Sequence, residues 1–214
     1  MKRKRATKRV APQENKADET PASPEETIAG ETAPAETRSM AKKRIATVWL
    51  CGCSGCHMSF LDLDEKLIDL SALADIVASP VADVKEIPDC DIGIVEGAVA
   101  NEENLHVLQQ IRARSKVLVS LGDCAGFGCV PMLRNQFSNQ DVLDRAYVEV
   151  ESTAMGEIPT VEVPKLTPKV RPIHEFVKVD AWIPGCPPTP QAIWRAVAEL
   201  LGAKPAGEPV LNYD

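Results

Sequence analysis

The chain has 214 residues, room for one large or two small domains, and 44% of them are hydrophobic, enough for a real core. Aromatic residues are only 4%, so packing falls to Val, Ile, Leu and Ala. The formal charge of -7 argues against a nucleic-acid-binding face, which is basic, and suits an acidic protein with protein partners.

Residues 1–40 hold Pro12, Pro21, Pro24 and Pro34, many Ala, Thr and Glu, and no aromatic side chain. Such a segment buries too little apolar area to offset the entropy of ordering it, so a disordered tail is expected, followed by one domain over 41–214. The tail opens with Lys2, Arg3, Lys4, Arg5, Lys8 and Arg9. No apolar stretch follows them, so neither a secretory nor a twin-arginine export signal is expected. No apolar run approaches ~18 residues, the length needed to span a membrane.

From Lys42 onward, strands alternate with helices. Ile45–Leu50 reads as a buried strand. Residues 57–70 place Phe60, Leu63, Leu67 and Leu70 at spacings of three and four, which predicts a helix. Asp75–Ala78 and Asp91–Val95 read as the next strands, the latter ending at Glu96-Gly97. A helix is predicted over 101–114, with Leu105, Leu108 and Ile111 inward, then a strand over Val117–Leu121. Residues 130–176, rich in proline, show no periodicity. Val179–Ile183 is the fifth strand. A last helix runs from about Pro188 to Leu201, with proline at its start and Gly202 as its stop. Alternation of this kind predicts an α/β fold: a doubly wound, flavodoxin-like parallel sheet of about five strands with helices on both faces.

Seven cysteines, an odd number, in a chain too long to need staples argue against a disulfide framework, and reduced thiols in a cytoplasmic protein are expected. Four of them lie within two residues of a glycine just past predicted strand ends: Cys53 and Cys56 after the first strand, Cys124 after the fourth, Cys186 after the fifth. In a doubly wound sheet these ends share one edge, where ligands bind. Four thiolates gathered from three loops can hold an iron–sulfur cluster. A redox dithiol needs only the Cys53–Cys56 pair and leaves the other two unexplained. Zinc takes the same four ligands, but zinc ribbons pair two short-range couples, whereas this chain has one couple and two distant singles. Spacing therefore favours a cluster over zinc.

Cys51, two residues before Cys53, points beside the site or away from it; Cys90 reads as a small buried hydrophobe; Cys129 lies close to Cys124 in sequence. Neither Cys51 nor Cys129 is expected as a ligand. Glu96 is either a surface or cap carboxylate, or an acceptor and proton relay at a buried interface. His57 either donates to a cluster sulfide or faces solvent. For it and for His174 a structural role is expected.

Cys53-Ser-Gly-Cys56, Glu96-Gly97-Ala-Val, Gly122-Asp-Cys124-Ala and Pro184-Gly-Cys186-Pro-Pro188, in that order, resemble the small subunit of [NiFe] hydrogenases, from about Lys43 to the C-terminus. Residues 49–62 are most similar to the soluble, bidirectional, NAD-reducing, diaphorase-linked branch. The resemblance implies one proximal [4Fe-4S] cluster on Cys53, Cys56, Cys124 and Cys186. It implies a large-subunit partner carrying the nickel–iron centre, and electrons passing on to iron–sulfur and flavin (diaphorase) subunits and to NAD. Such a chain is part of a hydrogen dehydrogenase but not catalytic alone. Some members are thought to hold an additional flavin mononucleotide (FMN) here, though no residue pattern in this chain demands it. The alternatives are a subunit of another [NiFe] hydrogenase or of a quinone-reducing complex, and a zinc-stabilised interaction module. Quinone-linked relatives use adjacent cysteines in the first block, whereas here Gly52 separates Cys51 from Cys53.

Overall fold

A computed structural model describes residues 42–203 except 83, 85 and 153–155. The expected tail over 1–40 lies outside the described residues. In chain order the regular elements are β1 (Lys43–Trp49), α1 (Gly55–Leu61), α2 (Lys66–Leu73), β2 (Ala74–Ala78), β3 (Cys90–Glu96), β4 (Val99–Asn101) and α3 (Glu102–Arg114). They continue with β5 (Ser115–Leu121), α4 (Gly122–Phe127), a 3-10 segment Val130–Gln136, α5 (Asn139–Tyr147), β6 (Leu166–Arg171), a 3-10 turn Ile173–Glu175, β7 (Ala181–Ile183) and α6 (Pro190–Leu200).

The main sheet has five strands in the order β2-β1-β3-β5-β7, and every pair is parallel. β1 and β3 lie inside it and are buried on both faces, which is why they read as unbroken aliphatic runs rather than as alternation. Ile45, Ile92, Ile94, Val119 and Ile183 point to one side, against Phe60, Leu63 and Leu70 of the α1–α2 segment and Ile193 and Val197 of α6. Ala46, Val48, Val95 and Leu118 point to the other side, against Leu108 and Ile111 of α3 and Ala125 of α4. The doubly wound fold expected from the alternation is the one found.

Close approach of α3 to the sheet needs Gly93. A Cβ there would stand 2.9 Å from the Ser115 Cβ and 3.0 Å from the Ile111 Cγ1. The helix starts at Asn101, whose side chain accepts from the Asn104 amide at 2.7 Å, with Glu102 and Glu103 in its first turn and Arg112 and Arg114 in its last.

Two expectations are corrected. The helix expected over 57–70 is two helices, α1 and α2, separated by Asp62–Glu65. The apolar stripe is real, since Phe60, Leu63 and Leu70 are all buried. Asp64, however, adopts φ 52°, a left-handed conformation that ends a helix and that Asp tolerates better than most residues. The segment 130–176 is not irregular throughout. Ser138 and Asp141 form a capping box that starts α5, and β6 pairs antiparallel with β4 in a separate two-stranded sheet. Arg134 ties this insertion down by donating to the carbonyls of Ala100 at 2.9 Å and Thr167 at 2.7 Å. Among the described residues no helix is long and apolar enough to cross a membrane.

Candidate iron–sulfur site

Trp49 pairs with Glu96, Glu96 with Leu121, and Leu121 with Ile183, so the ends of β1, β3, β5 and β7 stand in one row across the sheet. Cys53 and Cys56 follow Trp49, Cys124 follows Leu121, and Cys186 follows Ile183. Register alone therefore delivers the cysteine-bearing loops to one edge.

Main-chain hydrogen bonds then draw the loops together. Leu50 donates to the Glu96 carbonyl at 2.7 Å, and Cys51 and Ala98 exchange bonds of 3.0 and 2.8 Å. The Asp123 amide donates to the Gly185 carbonyl at 3.0 Å, and the Gly185 amide to the Asp123 carboxylate at 2.8 Å. The Cys124 and Cys186 loops are thus locked to each other. Gly122, at φ +80°, is the seat of Cys56: a Cβ on it would lie 2.2 Å from the Cys56 sulfur and 3.3 Å from the Gly185 carbonyl. Only glycine supplies both that conformation and that clearance. Gly97, at φ +87°, serves likewise at the end of β3, where a Cβ would meet the Cys51 carbonyl at 2.8 Å.

Cys56, Cys124 and Cys186 are all raised, in part by the charges of neighbouring cysteines. Burial first, then the charges of Glu96, Cys124, Cys53 and Cys186, push the Cys56 thiol up to about 12. Burial, then Cys129, Cys186 and Cys53, push Cys124 up to about 11, against a backbone bond from Val130 that lowers it. Cys186 is raised too, first by Cys129. Thiolates crowded this way need a cationic core among them to be stable, and this donor set fits one. Among the described residues no three His, Cys, Asp or Glu side chains gather closely enough for a single metal ion. A zinc ion would require all of its sulfurs about 2.3 Å from one point. Cys56 is buried, Cys124 half-buried, and Cys53 and Cys186 exposed, so the site has an inner wall and an open rim.

The other cysteines divide. Cys51 packs with Ala98, Ala100 and Val170 in a small satellite cluster, away from the four. Cys90 is 4% exposed inside the core under α3. Cys129 lies near Cys186 and Cys124 and raises both thiols, so it is a fifth thiol at the rim. Its neighbourhood with Cys186 was not legible in the sequence, because it comes from the fold of the loop, where Cys129 takes φ 36°.

Glu96 is 2% exposed, not a surface carboxylate. One oxygen accepts from the Cys56 amide at 3.4 Å, the other from the His57 amide at 3.0 Å and from the His57 ring Nδ1. The buried His57 ring also meets Trp49 edge-on, at 5.6 Å between centroids. Glu96 thus clamps the turn that carries Cys56. His174, by contrast, is exposed and tilts against Trp182 at 5.4 Å.

A doubly wound parallel sheet with cysteine loops gathered at its carboxyl edge defines the class of the molecule, and comparison with known proteins agrees. Residues 53–200 match the family described as "NADH ubiquinone oxidoreductase, 20 Kd subunit", and the chain belongs to that family. It is 42% identical to the protein named "NAD-reducing hydrogenase HoxS subunit delta" of Cupriavidus necator, over 81% of this chain and 86% of that one. It is also 42% identical to one chain of the F420-non-reducing hydrogenase of Methanocaldococcus jannaschii, over 75% of this chain but only 57% of that relative. Among solved structures, a chain of an NAD+-reducing [NiFe]-hydrogenase in the H2-reduced state matches with a TM-score of 0.74 at 42% identity, covering 81% of this chain and 99% of that one.

Proposed function

We propose that this chain is the electron-relay small subunit of a cytoplasmic NAD-linked [NiFe] hydrogenase. In this reading Cys53, Cys56, Cys124 and Cys186 hold one proximal [4Fe-4S] cluster, which supplies a one-electron redox centre when bound. The observation that carries the reading is the convergence of the four cysteine positions at one row of strand ends, with the Cys56 sulfur seated on Gly122. The hydrogenase relatives support the same system.

The chain's own residues then have distinct tasks. Cys56 and Cys124 bind from the inner wall, while Cys53 and Cys186 bind at the rim, where a partner can approach. Glu96 fixes the Cys56 turn and is the group on hand to accept a proton at the interface. Gly122 brings backbone close to the Cys56 sulfur and keeps bulk away, and Gly185 leaves room for the backbone of Pro187 and Pro188. Hydrogen is split on the nickel–iron centre of a large-subunit partner, and electrons leave through diaphorase iron–sulfur and flavin subunits, so that the complex converts H2 and NAD+ to NADH and H+. Residues 41–214 are the relay domain and 1–40 a tail. An additional FMN rests on the resemblance alone, and flavin analysis of the complex with and without this subunit decides it.

The test is substitution in the intact complex. Cys124→Ala or Cys186→Ala removes the cluster's iron and abolishes hydrogen-dependent NAD reduction, whereas Cys90→Ala leaves both nearly intact. Full activity in either of the first two variants contradicts the assignment.

A further inference from the structure

The segment that carries Cys186 is fixed on both sides of that cysteine by bonds that need no metal. Before it, the Gly185 amide donates to the Asp123 carboxylate at 2.8 Å, and the Gly185 carbonyl accepts from the Asp123 amide at 3.0 Å. After it, the Pro188 carbonyl accepts from the buried Ser59 hydroxyl at 2.5 Å. Asp123 is the residue before Cys124, and Ser59 lies on α1, which carries Cys56. Each of the other two cysteine-bearing segments therefore holds one flank of the Cys186 loop. The loop itself is closely packed, since a Cβ on Gly185 would lie 2.6 Å from the Pro188 Cα.

The two clamps differ in kind. Ser59 is neutral, whereas Asp123 brings a negative charge. Asp123 is half-buried, and among the described residues it pairs with no Lys or Arg. Its field reaches the neighbouring sulfur: Cys186 is raised first by Cys129 and by burial, and then by Asp123 as well. An anion held beside an iron–sulfur centre makes an added electron less favourable. A second effect has the same sign. Amide N–H groups aimed at cluster sulfurs raise the potential, and the Gly185 N–H is committed to Asp123 instead. We propose that Asp123 is a positioning residue with two separable tasks: its bond to Gly185 places Cys186 for iron, and its charge holds the relay centre at a lower potential. This deepens the relay reading given above and rests on the cluster assigned there.

The experiment is a redox titration of the intact purified complex, with iron assay, read on the reduced-centre paramagnetic signal that Cys124→Ala removes. Asp123→Asn keeps an oxygen for the Gly185 amide and loses the charge. It is expected to retain its iron and its signal and to be about tenfold easier to reduce, an upward shift of ~59 mV for a one-electron couple. Asp123→Ala loses the bond as well, and is expected to lack more than half of the iron that Cys124→Ala removes. Asn thus rescues the iron that Ala loses, but not the potential, a split that a merely structural side chain does not give. A potential in Asp123→Asn at or below the wild-type value overturns the proposal, as does loss of its iron, or full iron in Asp123→Ala. A wild-type signal that Cys124→Ala leaves unchanged contradicts the relay reading itself, and this proposal with it.

Discussion

Gly122 separates a structural account of the cysteine loops from a merely compositional one. A methyl group there collides with the Cys56 sulfur, whereas a methyl group on Gly126 meets Trp182 only at 3.5 Å, an ordinary contact. Gly122→Ala is therefore expected to lose most of the iron bound by this chain, and Gly126→Ala to keep it, with iron assay and visible absorbance as the readout. Glu96 makes a second prediction. Glu96→Gln replaces an acceptor-only group with one that carries donors and lacks the charge facing the His57 ring and the Cys56 and His57 amides. It is expected to destabilise the fold by about 1–3 kcal/mol, measured by denaturant unfolding. The placement of the four cysteines at strand ends was legible in the sequence, because each follows an apolar run and lies within two residues of a glycine. Glu96 was legible only as a position. Its burial against His57 depends on α1 turning back over β3, which no local pattern encodes.

At the scale of elements, α3 and β7 decide whether the sheet edge keeps its shape. Gly93→Ala forces α3 off β3 and is expected to cost about 1–3 kcal/mol. Asn101→Ala removes the α3 cap at about 1 kcal/mol, and thermal unfolding reads both. Asp180 pins the segment before β7. Its carboxylate accepts from the Leu118 amide at 2.9 Å, from Arg112 at 2.5 Å and from Lys178 at 3.0 Å. These bonds, the Leu118 amide foremost, hold it well below the ordinary carboxylate value of 3.8. Because the folded state releases this proton more readily than the unfolded state, the stabilisation is fully present above about pH 4. It is lost as pH falls from there through the lower folded-state value. Asp180→Asn is therefore expected to be about 1 kcal/mol less stable near neutral pH, with the difference shrinking below pH 4 in acid-unfolding curves.

The strands of the main sheet were legible because burial on both faces leaves uninterrupted aliphatic runs such as Ile45–Val48. The α1–α2 break was not legible, because Leu63 keeps the apolar spacing while Asp64 turns the backbone. β4 and β6 escaped for another reason. A three-residue strand paired to one more than 60 residues away carries too little pattern to be seen. The capping box of Ser138 and Asp141, which starts α5, is a local signal that the expectation of an irregular segment missed.

For the whole molecule, the parallel topology turns residues far apart in sequence into neighbours. Trp49, Glu96, Leu121 and Ile183 stand in one row, and the thiols follow from it. Family membership fits this arrangement, since the match over 53–200 begins at Cys53 and includes Cys56, Cys124 and Cys186. Cys53 and Cys186 are the exposed members of the four, at the rim of the site.

The most direct measurement is iron and acid-labile sulfide bound to this chain, with low-temperature electron paramagnetic resonance of the reduced protein, before and after Cys124→Ala. About four irons per chain and a reduced-cluster signal are expected, both lost in the variant while the fold persists. An iron-free wild-type chain, or a variant that keeps the full signal, would contradict the account.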